Sequence, residues 1–250
     1  MEGIKIIHIK ETDSTNRWMS CYDGDEGTKM TVVWCDSQTA GRGQGSNKWE
    51  SEPEKNLTFS VKFHPKTVSA DRQYILLQAA ALAVRDTLAC FTDGITIKWP
   101  NDIYYNDRKI SGTLSECAIS GHGIKHCIIG IGININQSVF TSDAPNPISL
   151  FNITGCTTDR NEFLCGVLGR LGDYIDMVES GMYDAVASIY MRHLYRAEGI
   201  FTYTDADGSF MASIEGVEPD GHLVLRRTNG TVSRYAFKEV SFCIKQEQKV

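Results

Sequence analysis

Two basic residues, Arg42 and Lys98, stand in surroundings suited to anion chemistry. Arg42 lies in residues 38–49, QTAGRGQGSNKW. Gly41, Gly43 and Gly45 permit close backbone approach and positive φ, so consecutive amides can turn toward an anion. A guanidinium adds a planar donor fork suited to phosphate or carboxylate. Such a loop can fold over a ligand and exclude water. It contains no GxxxxGK[ST] and is not a P-loop; by local composition it reads equally well as a flexible surface loop. Lys98 ends a β-branched run in residues 97–102, IKWPND. Trp99 and Pro100 stiffen the turn, and Asn101 and Asp102 add polar groups. A lysine held there can neutralise charge on a transferring carboxylate or phosphate oxygen. Taken alone, the segment reads more simply as a salt-bridged surface lysine beside an ordinary turn.

Two further segments carry polar or open positions. Ser14-Thr15-Asn16 offers two hydroxyls and an amide at a helix start, which suits a neutral polar headgroup such as a urea or amide and equally suits helix capping. In residues 128–136, IIGIGININ, the bare Gly130 and Gly132 leave room for a ligand. The third glycine of a dinucleotide fingerprint is missing, so the local reading is a core strand with glycines at a bulge. His122, His126 and Cys127 surround an expected turn without a second ligand pair, which disfavours zinc. No GxSxG or local cysteine signature marks a nucleophile.

The elements that must position these groups are legible from periodicity. Strands are expected at residues 4–9, 31–35, 57–63, 95–98, 103–105, 112–118 and 126–133. Residues 57–63 alternate, which puts Leu57, Phe59, Val61 and Phe63 on one face. A helix begins near Thr15, capped by Asp13 or Ser14, and another spans 72–91 with Asp71 as its cap. Residues 159–195 read as two helices split at Gly181. Beyond Tyr195 come short strands at 201–204, 209–217, 222–225, 232–237 and 241–245. Asp207-Gly208, Asp220-Gly221 and Asn229-Gly230 separate them as hairpin turns. The expected fold class is α+β: a mixed, largely antiparallel sheet flanked by helices over residues 1–195, and a small SH3-like β-barrel over 196–250.

Bulk properties narrow the function classes. The net charge of −6 gives no global basic field for nucleic acid. No apolar run is long enough to span a bilayer. The eight cysteines include no CxxC pair. With no secretory signal at the N-terminus, reduced thiols in a cytoplasmic protein are expected.

In combination and order, DSTN, QTAGRGQGSNKW, KWPND, RKISG and GIGININ resemble the catalytic domain of biotin–protein ligases, from about residue 8 to 195; the C-terminal barrel also fits that family. The resemblance implies the fold shared with class II aminoacyl-tRNA synthetases, and a two-step reaction. Biotin and MgATP give biotinyl-adenylate and pyrophosphate, and a lysine of a biotin carrier domain then attacks the mixed anhydride. It also implies roles. Ser14, Thr15, Asn16 and Gln38 would hold the ureido and ring end of biotin. Gly41, Arg42, Gly43 and Gln44 would cover the ligand and phosphate, and Gly112 would line the biotin pocket. Lys98 and Arg42 would be catalytic. Trp49, Asn101, Gly132 and Asn134 would lie toward the nucleotide. ATP and Mg²⁺ are expected, with no protein metal ligands assigned. A monomer or homodimer is expected, with no membrane contact and no DNA binding.

Many members of that family read GRGRxGR where this chain reads GRGQGSN, so Gln44 and Asn47 stand in place of arginines. A loop holding the adenylate with less charge is therefore expected. Lipoate or octanoyl transfer is the alternative within enzymes, and it would call for a long apolar tunnel. A non-catalytic biotin-responsive binding protein is the alternative outside them.

Overall fold

The computed structural model describes residues 3–24, 27–45, 47–141 and 146–244. Ser46 of the glycine-rich loop and Lys245 of the last expected strand fall outside them. The strands of the larger sheet are β1 (Ile4–Thr12), β2 (Met30–Gln38), β3 (Leu57–Phe63), β4 (Ile95–Lys98), β5 (Asp102–Tyr105), β6 (Arg108–Ser120) and β7 (Gly123–Ile133). Their order is β1-β2-β3-β7-β6-β5-β4. Only β1 and β2 pair in parallel, so the sheet is mixed and largely antiparallel as expected. The helices are α1 (Thr15–Ser20), α2 (Tyr74–Leu88), α3 (Leu150–Thr154), α4 (Arg160–Glu179) and α5 (Tyr183–Arg192).

Alternation along the strands gives the sheet two covered faces. Val32, Phe59, Ile129 and Ile131 join α2 and α4 in the main core, whereas Val33 and Ile128 pack on Met19 of α1. Successive residues of a strand point to opposite faces, so α1 covers the side opposite α2. Ala79–Ala83 of α2 are all fully buried; small side chains let that helix lie close to sheet and α4. Burial of each large side chain such as Phe59 contributes roughly 1.5–3 kcal/mol.

A second, five-stranded antiparallel sheet comprises β8 (Phe201–Asp205), β9 (Gly208–Val217), β10 (Leu223–Arg227), β11 (Val232–Tyr235) and β12 (Ser241–Phe242), ordered β11-β10-β9-β8-β12. Its Tyr203, Leu223 and Leu225 are buried in the same apolar cluster as the main core.

Several expectations shift. The helix expected over 72–91 is shorter: Asp71 sits in a separate 3-10 turn, Ala70–Arg72, and Gln73 is the N-cap of α2. Ser14 is the N-cap of α1 without a side-chain cap bond, and Asp13 instead accepts from the Ser14 amide and Arg17. Strands β6 and β7 run well past the expected limits. No bulge occurs at Gly130 or Gly132; the register there is regular, and the irregularity falls at Ala118/Ile119. The break at Gly181 stands where expected, with φ of 78°.

Candidate active site

The C-terminal ends of β2 and β7, the start of α1, the β4–β5 turn and the loop after β2 converge on one cavity. It is lined by Ser14–Asn16, Gln38, Arg42–Gln44, Trp49, Lys98, Asn101, Gly112 and Gly132. Of the residues expected at a site, Gly41 and Asn134 are outside it. Gly41 is framework, because a Cβ there would stand 2.5 Å from the Trp49 carbonyl oxygen. Asn134 is buried and spent on structure: its amide nitrogen donates to the Ile148 carbonyl at 3.0 Å, and its backbone bonds Ile110 and Leu150.

One end of the cavity is neutral and hydrogen-bonded. The Thr15 amide and hydroxyl both donate to Gln38 Oε1, at 2.8 and 3.1 Å. Asn16 Nδ2 donates to Glu116 Oε2 at 2.8 Å. Ser60 Oγ stands 2.8 Å from Thr15 Oγ1 and 2.6 Å from Asn16 Oδ1, and its single proton can serve only one of them. The network leaves unused hydrogen-bonding capacity beside the bare Gly130, where a Cβ would meet Asn16 Oδ1 at 2.2 Å.

The other end is cationic. Register pairing sets Lys98 opposite Asp102, and Asp102 opposite Gly112. Lys98 Nζ lies 4.9 Å from the Phe242 ring and 5.4 Å from the Tyr104 ring. Burial pulls its ammonium below the usual lysine range, Asp102 partly offsets that, and Lys109 and Arg196 add to it. Lys109 pairs with Asp102 at 2.6 Å. Gly112 stands beside Lys109, toward this charged end. Trp99 and Pro100 are joined by a cis peptide. Their turn is fixed from three sides: Tyr74 and Tyr190 donate to the Pro100 carbonyl at 3.0 and 3.1 Å, and Trp99 Nε1 donates to the Gly221 carbonyl at 2.9 Å.

The glycine-rich segment is a small hairpin. Arg42 bridges Lys48, and the Gly43 amide donates to the Asn47 carbonyl at 2.8 Å. Of its three glycines only Gly45 has positive φ, 67°. Arg42 pairs with Glu116 at 3.4 Å, so Glu116 ties the hairpin to Asn16. Gln44 Oε1 and Trp49 Nε1 are buried without partners among the described residues. Both residues line the cavity, so a ligand there can satisfy them.

Sequence reasoning gave no role to Ser60, Lys109, Glu116 or Phe237. Glu116 and Ser60 stand far along the chain from the residues they hold, and only sheet register joins them. Phe237, in the turn between β11 and β12, lines the cavity; no local pattern marked it. Away from the cavity, Glu218, Asp220 and His222 cluster. Arg234 already pairs with Glu218 and with Asp220, so these groups serve an ion pair.

A cavity with a neutral polar end, a cationic end and a glycine-rich cover suits a ligase that activates a carboxylate. The chain belongs to the biotin/lipoate A/B protein ligase family, which it matches over residues 9–134. It is 30% identical over 246 residues to the bifunctional ligase/repressor BirA of Bacillus spizizenii, spanning 94% of this chain and 73% of that protein. It is 28% identical to the biotin–[acetyl-CoA-carboxylase] ligase of Paracoccus denitrificans, over 89% of this chain and 94% of that one. Its fold superposes with a TM-score of 0.79 on the biotin protein ligase from Aquifex aeolicus in complex with biotin and ATP, at 26% identity, covering 96% and 99% of the two chains. No helix among the described residues is long and apolar enough to cross a membrane.

Proposed function

We propose that this chain joins biotin to the adenylyl group of ATP, releasing pyrophosphate, and then transfers biotin from the adenylate to a lysine of a biotin carrier domain, releasing AMP, in the cytoplasm. One observation carries the reading: segments centred on residues 15, 42 and 98 line a single cavity whose ends differ in charge. The Thr15–Gln38–Asn16–Ser60 network is suited to a ureido group, which both donates and accepts. It also disfavours a lipoyl or octanoyl chain, which would need an apolar wall. Adenylation brings a carboxylate against a polyphosphate, and Lys98, Arg42 and magnesium offset the repulsion.

Asp102 is the only carboxylate among the described lining residues, and Lys109 already pairs with it. Magnesium retains water and phosphate oxygens readily, so the nucleotide would supply most of its ligands, and Asp102 would be the lining carboxylate able to add to them. In the second step the chain needs only to orient the acceptor amine and keep water from the adenylate. That fits a cavity whose described lining holds no cysteine and, beside its one serine, Ser14, no histidine to activate it. We assign residues 1–195 to catalysis and residues 196–250 to a module that completes the cavity through Phe237.

Biotin-dependent exchange of pyrophosphate into ATP tests the first step, and the mass shift of an added carrier domain tests the second. Exchange with lipoate but not with biotin would overturn the assignment. Binding of biotin with no exchange would favour a biotin-responsive binding protein.

A further inference from the structure

Cys117 on β6 and Cys127 on β7 are directly opposed in the antiparallel register, and their sulfurs are 2.9 Å apart. Directly paired residues of antiparallel strands have Cα atoms about 4.5–5.5 Å apart, within the span a disulfide bridges. Ser115 lies on the same face, its hydroxyl oxygen 3.8 Å from Cys117 Sγ and 3.4 Å from Cys127 Sγ. Neither thiol lines the cavity, and adenylation and transfer use neither. Cys127 is fully buried and Cys117 half-buried, so an incoming reagent meets Cys117 first, with Cys127 in contact behind it. No other pair of sulfurs is in contact among the described residues; Cys21, Cys90, Cys156, Cys165 and Cys243 are exposed and separate.

We propose that Cys117 and Cys127 form a dithiol–disulfide site that reacts with small disulfides, Cys117 attacking and Cys127 resolving. The Cys117 thiolate attacks one sulfur of the small disulfide, forming a mixed disulfide and expelling one thiolate. Cys127 then attacks Cys117 Sγ, expelling the second thiolate, which takes up the Cys127 proton. The net change is two protein thiols oxidised to one disulfide and one small disulfide reduced to two thiols. The environment supports this order. The contact with Cys127 holds the Cys117 thiol below its usual range, and the same contact together with burial pushes Cys127 up. The new bond would staple the β6–β7 hairpin beside Glu116, whose side chain holds Asn16 and Arg42.

Incubating the folded, full-length protein with oxidised glutathione, alkylating the remaining thiols and mapping peptides without reductant tests the site. A Cys117–Cys127 crosslink is expected, at least about tenfold more abundant than any other pairing, while the exposed cysteines carry only glutathione or alkyl adducts. The preference should vanish when the reaction is run in denaturant. In Cys127→Ser, a stable glutathione adduct should accumulate on Cys117. Oxidation should raise the melting temperature by about a few degrees, reversibly on reduction. A wild-type protein that keeps a glutathione adduct on Cys117 without crosslinking, or whose two thiols stay fully alkylatable, would overturn the proposal.

Discussion

Trp49 and Gly132 are shaped to one another: a methyl group built on Gly132 would stand 2.3 Å from Trp49 Cε2. The indole fills the space that the bare strand leaves, with its Nε1 unpartnered among the described residues. Gly132→Ala should displace the ring and raise KM for ATP about tenfold, on the order of 1.4 kcal/mol, with KM for biotin nearly unchanged. Pyrophosphate exchange at varied ATP and biotin gives both constants. Equal rises in both would remove Trp49 from the nucleotide end.

Gly130 provides the converse case. Its substitution by alanine would drive a methyl group onto Asn16 Oδ1 and disturb the Ser60–Asn16–Glu116 network. KM for biotin should rise several-fold while KM for ATP holds. A biotin constant unaffected by Gly130→Ala would count against the neutral end as the ureido site.

Lys98→Ala should lower the rate of adenylation by about 10²–10³, the usual cost of losing one preorganised group that stabilises transition-state charge. Biotin binding, read by calorimetry, should survive, and so should the fold. A comparable loss of biotin affinity would make Lys98 a ground-state binding residue only.

The pH response of Lys98 has two opposite parts. Its folded pKa lies below the ordinary value of 10.5, and the ammonium form is the useful one. Adenylation should therefore decline as pH rises through the lowered pKa, and Lys98→Arg should lack that decline. Stability runs the other way. Between the lowered pKa and 10.5 the unfolded chain binds more protons, so this group's contribution to stability rises with pH. Below the lowered pKa the cost of burying the charge is fully present. The stability gap between wild type and Lys98→Met should accordingly narrow as pH rises through that window; a constant gap would contradict the burial of a charged lysine.

Gln44 faces the cavity with an Oε1 unpartnered among the described residues. Restoring charge with Gln44→Arg should slow release of the adenylate, as followed by rapid filtration of radiolabelled ligand. An unchanged dissociation rate would show that Arg42 and the hairpin amides already suffice.

Local patterns made much of the fold legible. Leu57–Phe63 and Ile95–Lys98 appear with the expected limits because alternation and β-branching act within the strand itself. The ends of β6 and β7 were not legible. Their pairing extends through residues of mixed polarity, such as Arg108 and Lys109, that only a neighbouring strand recruits. The parallel pairing of β1 with β2 likewise leaves no mark in either segment. At the site, the short-range groups Ser14–Asn16, Arg42 and Lys98 were readable. Glu116, which links Asn16 to Arg42, was not, because its partners lie far away in sequence. Gly41 and Asn134 share motifs with lining residues, yet their atoms are committed to the framework.

Phe237 lines the same cavity as Ser14, so the pocket's wall draws on segments that stand far apart along the chain. A ribosome delivers the polar groups of Ser14–Asn16 well before this aromatic panel. While the chain is still being made, biotin could meet its polar contacts before the chamber can be closed. Competence to retain a water-sensitive anhydride would thus wait for Phe237, after the sheet and helices that position Lys98 have already emerged.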